Sequence, residues 1–251
     1  MGLWTNGFSE EHLDMVSKIL ERLQDNGLKC NPLKCDWAVQ ESDFLGYWMT
    51  PEGVKPKRDK IEAVLKLGRP RNQMQVRSFL GAVTFYKSMF PRRSHVLRPL
   101  TELTGKGAFE WLPRHQKAFD EMKAIIAAEA INVYADPNLP FEIYTDASDY
   151  QMGAAIMQNG KCVAYWSRSL SPAQKNYNTM EKELLATVMC MKEYQDMLYG
   201  AVCTVYTDHK NLTFKMLSCQ CVLRWRILRW RMCLADFDVT FKSTLKERKM
   251  S

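Results

Sequence analysis

Phe141-Glu-Ile-Tyr-Thr-Asp-Ala-Ser148 alternates apolar and polar side chains, with Phe141, Ile143 and Thr145 on one side and Glu142, Tyr144 and Asp146 on the other. That period of two predicts a half-buried strand. The stretch ends on a carboxylate, just before Gly153 and Ala154 open a second apolar run. An acid is therefore expected where a strand leaves the core.

Working outward, two further acids suit the same pocket. Glu183 lies near the start of a helical stretch in which Met180, Leu184, Val188 and Met191 recur at helical spacing, so it borders the buried stripe. Asp208 follows a third strand-like run, Ala201 to Thr207. Three carboxylates on two strand ends and one helix can meet at one edge of a sheet. Clustered carboxylates repel and are costly to desolvate, which makes physical sense where a divalent cation neutralises them. Oxygen-only ligands favour Mg²⁺ or Mn²⁺.

Three motifs carry a resemblance. Thr145-Asp-Ala-Ser148, the run Tyr177 to Ala186 (YNTMEKELLA) and the run Thr207 to Phe214 (TDHKNLTF) resemble the RNase H domain of gypsy-type LTR retrotransposon Pol polyproteins. Upstream, Phe44 to Val54 (FLGYWMTPEGV) and Arg77 to Ser94 (RSFLGAVTFYKSMFPRRS) are similar to the last palm segment and the thumb of that family's reverse transcriptase. The resemblance runs to about Phe241 and implies a multidomain α+β chain. Residues 1–56 would be the C-terminal palm segment with a primer-grip-like hairpin, 57–107 a helical thumb, and 108–136 a connection. Residues 137–251 would form an RNase H-like mixed sheet flanked by helices, and the chain would be truncated at both ends relative to the family.

The resemblance also implies a chemistry: hydrolysis of the RNA strand of an RNA/DNA hybrid with two Mg²⁺ ions, Mn²⁺ being a possible substitute. Asp146, Glu183 and Asp208 would be the catalytic metal ligands, with Asp146 shared by both ions. Tyr47 and Trp48 of the hairpin, with Lys57, Arg58, Arg77, Arg92 and Arg93 of the thumb, would contact duplex nucleic acid through its phosphates. Association with other Pol segments is a further implied partner.

Two departures bear on activity. The family's polymerase needs an Asp-Asp pair, and this sequence has none, so polymerisation is not expected of it. The family's nuclease has a fourth, downstream carboxylate, where this chain instead runs into KSTLKERKMS. Asp236 and Asp238 are the nearest acids but match an acidic-aromatic stretch preceding the fourth ligand, so neither is assigned that role. The rival reading is a catalytically inactive remnant that binds nucleic acid, or a docking module.

Local signals fill in the rest. Glu10 to about Asn26 reads as a helix capped by Ser9 and stopped by Gly27, with Leu13, Val16, Leu20 and Leu23 on one side. Helices are expected at about Arg58–Leu67, Gln73–Met89 and Arg114–Ala130, and a break at Asp136-Pro-Asn-Leu-Pro140. Asn159-Gly160 predicts a type I′ hairpin turn. Asn178 and Glu181 form a capping box, which leaves Glu183 free as a ligand. The run Arg224 to Arg231, containing Trp225 and Trp230, either packs as a helix burying Trp225, Leu228 and the region of Met232, or contacts nucleic acid by alternating cations and aromatic faces. His209 reads as a strand-end structural residue.

Composition narrows the class less. With 251 residues and 46% apolar content the chain can build one large or two ordinary cores. A net charge of +7 suits a polyanionic partner without requiring one. The eight cysteines form no CxxC pair and the four histidines stand at no zinc-ligand spacing, so reduced structural thiols in an intracellular protein are expected. No apolar run spans a membrane, no leader precedes the first helix, and Asn6 stands where a myristoylation signal wants Ser or Thr.

Overall fold

The computed structural model describes residues 10–37, 39–105, 107–128, 130–208 and 225–243. Helix α1 (Glu10–Asp25) ends at Gly27, whose φ of +68° fits a left-handed stop, and Leu28 N–H closes on the Leu23 carbonyl at 2.9 Å. Its expected cap, Ser9, lies outside the described residues. Its apolar side faces outward, with Leu13 54% and Leu20 40% exposed.

Next comes a small antiparallel sheet of β1 (Ser42–Phe44), β2 (Tyr47–Thr50) and β3 (Gly53–Pro56). The hairpin expected around Pro51-Glu-Gly53 is β2–β3. A second, unforeseen hairpin joins β1 to β2 through Leu45 and Gly46, both at positive φ. Trp37 and Val39 lie in no strand, and Ala38 between them is outside the described residues. Gly53 is fixed by a close approach: a Cβ there would stand 2.3 Å from the Asn132 carbonyl oxygen, because Val54 and Asn132 exchange backbone hydrogen bonds.

Four helices follow: α2 (Arg58–Lys66), α3 (Gln73–Phe85), α4 (Arg93–Glu102) and α5 (Pro113–Ala127). They share one apolar core containing Val76, Phe79, Val83, Leu97, Leu100, Phe119 and Met122. Helix α3 stops four residues short of the expected Met89, because the chain turns after Tyr86 and drops Met89 and Phe90 into that core at 1% exposure each. Helix α4 was not foreseen, and it carries Pro99 in its interior.

The second core belongs to a five-stranded mixed sheet in the order β6-β5-β4-β7-β8, formed by β4 (Phe141–Ala147), β5 (Gln151–Gln158), β6 (Lys161–Ser169), β7 (Val202–Thr207) and β8 (Asp238–Ser243). Pairs β6–β5 and β5–β4 are antiparallel, while β4–β7 and β7–β8 are parallel. The β5–β6 turn is Asn159-Gly160, with φ of +50° and +73°, as the type I′ signal predicts. Gln158, 4% exposed, ties the loop before β4 to the sheet: it accepts from Asp136 N–H and donates to the Asp136 and Leu139 carbonyls at 2.8 and 3.0 Å.

Helices α6 (Pro172–Lys175), α7 (Thr179–Glu193) and α8 (Gln195–Leu198) lie between β6 and β7, and α9 (Trp225–Ala235) precedes β8. Helix α7 is buried on two sides. Leu185, Ala186, Cys190 and Met191 join the sheet core, while Met180 and Leu184 meet Ile227 of α9. The expected single stripe is thus divided between two neighbours.

The face of α9 is the opposite of the one expected from pattern. Ile227 is 4% exposed and Trp230 and Leu234 pack beside it, while Trp225 is 79%, Leu228 41% and Met232 65% exposed. Both triplets have the same helical spacing, and contact with α7 and Phe241 of β8 selects the inner one.

The two cores meet along β6. Tyr165 N–H donates to the Ser88 carbonyl at 2.8 Å, Val133 N–H to the Cys162 carbonyl at 2.8 Å, and Ser94 Oγ bonds Ser167 Oγ at 2.9 Å. Lys87 and Glu193 add an ion pair across the seam. Among the described residues no helix is long and apolar enough to cross a membrane.

Candidate active site

Strands β4 and β7 are neighbours running in the same direction, with Tyr144 opposite Tyr206. Two residues further along each, Asp146 near the end of β4 and Asp208 just past β7 stand side by side, on strands that lie about 4.8 Å apart. Both are exposed. The aromatic rings one step behind them, Tyr144 and Tyr206, stack at 4.7 Å with an interplanar angle of 8°.

Helix α7 brings the third acid. Its start is fixed by a reciprocal capping box: Glu181 N–H donates to Asn178 Oδ1 at 2.8 Å, and Asn178 N–H donates to Glu181 Oε2 at 3.0 Å. Arg226 of α9 lies over the Tyr177 ring at 3.9 Å and reaches Glu181 Oε1 at 3.5 Å. Glu181 is therefore occupied as a cap, as its spacing suggests. The next turn face carries Glu183, only 2% exposed.

Glu183 Oε1 accepts the Ala147 N–H at 2.9 Å, which joins the helix to the end of β4 one residue past Asp146. Its other oxygen, Oε2, is buried without a hydrogen-bond partner. Burial pushes the Glu183 carboxyl up to about 7, the negative charges of Asp208 and Asp146 push the same way, and the Ala147 N–H opposes them. Beside it, the buried side chain of Lys182 pairs with Asp149 at 2.8 Å.

A buried carboxylate oxygen with no hydrogen-bond donor, close to two more carboxylates, is a donor set of the kind that hard divalent ions take. Among the described residues the three acids do not close into a ready-made coordination shell. Of the other two acids nearby in sequence, Asp238 pairs with Val202 at the start of β7. It lies at the opposite end of the sheet, about 20 Å from Asp208 at ~3.3 Å per residue. His209 and Arg224 lie outside the described residues.

The residues expected to contact nucleic acid are scattered in role. The Tyr47 hydroxyl donates to the Phe85 carbonyl at 3.1 Å and its ring packs on Phe85 and Tyr86, so it docks the hairpin onto α3. Trp48 donates to Glu41 Oε2 at 2.7 Å, and Lys57 pairs with Asp43 and Asp59. Arg77 donates to the Thr104 carbonyl at 2.8 Å. Arg93 bonds Thr84 Oγ1 at 3.1 Å, and burial lowers its pKa. Arg58 and Arg92 are exposed. Sequence reasoning missed Ala147, whose N–H positions the buried acid. A main-chain donor leaves no trace in residue type.

Residues 136–237 match the family model described as the RNase H-like domain found in reverse transcriptase, and this part of the chain is such a domain. Over 243 residues the chain is 30% identical to the Retrovirus-related Pol polyprotein from transposon 297 of Drosophila melanogaster, covering 91% of this chain and 22% of that protein. It is 29% identical over 236 residues to the Transposon Tf2-3 polyprotein of Schizosaccharomyces pombe, covering 91% of this chain and 18% of that one. The chain thus spans about a fifth of the length of these relatives.

Among solved structures, the fold matches the foamy viral protease-reverse transcriptase in complex with RNA/DNA hybrid, with a TM-score of 0.76 at 22% identity over 97% of this chain and 34% of that one. The same viral protein in complex with double-stranded DNA gives a TM-score of 0.73, again at 22% identity, over 93% of this chain and 51% of that one. The matches cover more than nine-tenths of this chain, so they reach beyond residues 136–237 to the hairpin and helices α2–α5.

Proposed function

We propose that this chain hydrolyses the RNA strand of an RNA/DNA hybrid, with Asp146, Glu183 and Asp208 as the catalytic carboxylates and Mg²⁺, or Mn²⁺ in its place, as the ion they hold. The observation that carries the reading is Glu183: a buried acid with one unpartnered oxygen, flanked by two exposed acids at adjoining strand ends. Such ions supply charge compensation for the phosphate under attack and activation of the attacking water.

The chain's own residues divide the remaining work. Ala147 N–H holds one Glu183 oxygen and aims the other. The core behind α7 excludes water from the inner side of the site, while Asp146 and Asp208 stand where a phosphate backbone can approach. Exposed Arg58 and Arg92 would meet phosphates further along a duplex, and Lys57 and Arg77 could do so by exchanging their present partners. The division into a palm end at 1–56, a thumb at 57–107, a connection at 108–136 and a nuclease unit from 137 is part of this proposal, although α5 shares its core with α2–α4.

The test is Mg²⁺-dependent cleavage of a labelled RNA/DNA hybrid, with Asp146→Asn as the paired control. A second reading, duplex binding without cleavage, is favoured by the open spacing of the three acids. It requires hybrid binding that falls steeply with salt and is unchanged in Asp146→Asn, with no cleavage in either protein.

A further inference from the structure

Between α1 and β1 the chain makes a tight 3₁₀ turn, Pro32–Lys34, that brings two cysteines together. Asn31 caps the turn by accepting the Leu33 N–H at 3.0 Å, Lys34 N–H closes on the Asn31 carbonyl at 3.0 Å, and Cys35 N–H closes on the Pro32 carbonyl at 3.3 Å. The Sγ atoms of Cys30 and Cys35 come to lie 3.2 Å apart, and the Cys35 thiol also donates to the Asn31 carbonyl at 3.3 Å. Cys30 is exposed and Cys35 half-exposed, whereas Cys190 and Cys203 are buried in the sheet core. These two are not the structural thiols that the sequence pattern suggests.

We propose that Cys30 and Cys35 form a dithiol site that closes reversibly into an intramolecular disulfide by exchange with a low-molecular-weight disulfide of the glutathione class. In the first step one cysteine thiolate attacks a glutathione sulfur, forming a mixed disulfide and expelling one glutathione thiolate. In the second, the neighbouring cysteine loses its proton and attacks the protein sulfur of that mixed disulfide, expelling the other glutathione. Two protein thiols are oxidised and one glutathione disulfide is reduced to two thiols, so electrons and protons balance.

Two features favour the second step. The sulfurs are already near contact and need approach by only about 1.2 Å to reach a bond of ~2.05 Å. The capped turn removes most of the loop-closure entropy that a free chain would lose. The hydrogen bond with Cys30 raises the Cys35 pKa, with smaller contributions from burial and from the charges of Cys30 and Asp36. The bridge would tie the exit of α1 to the segment entering β1.

The experiment treats the full chain with oxidised glutathione, alkylates residual thiols and digests with trypsin. Cleavage after Lys34 separates Cys30 from Cys35, so the peptide Cys30–Lys34 stays attached to the peptide beginning at Cys35 only through a disulfide. The expected result is that bridged pair in the native protein, forming faster than in denaturant. In Cys30→Ser and Cys35→Ser the bridge is lost and glutathione accumulates on the remaining thiol. Persistent glutathione adducts at Cys30 or Cys35 of the unsubstituted protein, or a bridge that forms no faster in the native chain than in denaturant, would overturn the proposal.

Discussion

The Ala147 N–H donates to Glu183 Oε1 at 2.9 Å, so the strand that presents Asp146 also holds the buried acid on α7. One main-chain donor thus couples the placement of two carboxylates that are distant in sequence. Side-chain identity can change at either acid without loss of that strand-to-helix link, provided an acceptor remains at position 183.

Asp146→Asn is expected to abolish hybrid cleavage while leaving the thermal midpoint nearly unchanged, because the side chain is exposed. Asp238→Asn, at the far end of the sheet, should leave cleavage intact. A cleavage assay and a melting curve on both variants check this, and loss of activity in Asp238→Asn would place the reacting centre elsewhere.

The Glu183 carboxyl is raised from 4.5 to about 7 by burial and by its acidic neighbours. In the folded state it therefore holds its proton over a pH range in which the unfolded chain has released it, and stability falls as pH rises from about 4.5 through about 7. Without divalent ions, the protein should unfold at higher temperature at pH 5 than at pH 8 as far as this group is concerned. Glu183→Gln should flatten that dependence and gain on the order of 2–4 kcal/mol at pH 8. The same variant should lose cleavage, so stability and activity move in opposite directions.

Ile227→Ala should destabilise the nuclease-like unit by about 2–4 kcal/mol, the usual cost of emptying a buried aliphatic site. Trp225→Ala, at 79% exposure, should change stability by no more than about 0.5 kcal/mol. Denaturant melts of the two variants distinguish the observed face of α9 from the alternative one.

Gly53→Ala should be strongly destabilising for the small sheet. A Cβ there meets the Asn132 carbonyl oxygen at 2.3 Å, and the φ of +146° is one that side-chain-bearing residues avoid. Hydrogen exchange at Val54 and Asn132, whose amides bond each other's carbonyls, should accelerate in this variant ahead of exchange in the five-stranded sheet.

Much of this architecture was legible from local chemistry. The alternation of Phe141 to Asp146 reports a strand with one dry face, Asn159-Gly160 demands a turn with positive φ, and Asn178 with Glu181 marks a helix start. Each signal is set by residues within a few positions of one another. The face of α9 was not legible, because Trp225, Leu228 and Met232 repeat at the same spacing as Ile227, Trp230 and Leu234, and only the docking of α7 breaks the tie. Helix α4 holds Pro99 in its interior, a cost offset by the burial of Val96, Leu97 and Leu100. At the site, the three acids could be chosen from sequence, but the Ala147 donor and the unpartnered Glu183 oxygen are properties of backbone placement. The closeness of Cys30 and Cys35 depends likewise on a turn whose motif is not a recognised thiol signature.

The seam along β6 has a practical consequence. The bounds of the family match, 136–237, cut the sheet at both borders: Ser88, Ser94 and Val133, which bond to β6, fall before them, and β8 falls after them. Excising that interval would leave two bare strand margins, each a template for recruitment of another chain. A monomeric minimal form of the RNase H-like domain therefore has to begin upstream of Ser88 and extend at least to Ser243, and shorter versions should precipitate or self-associate.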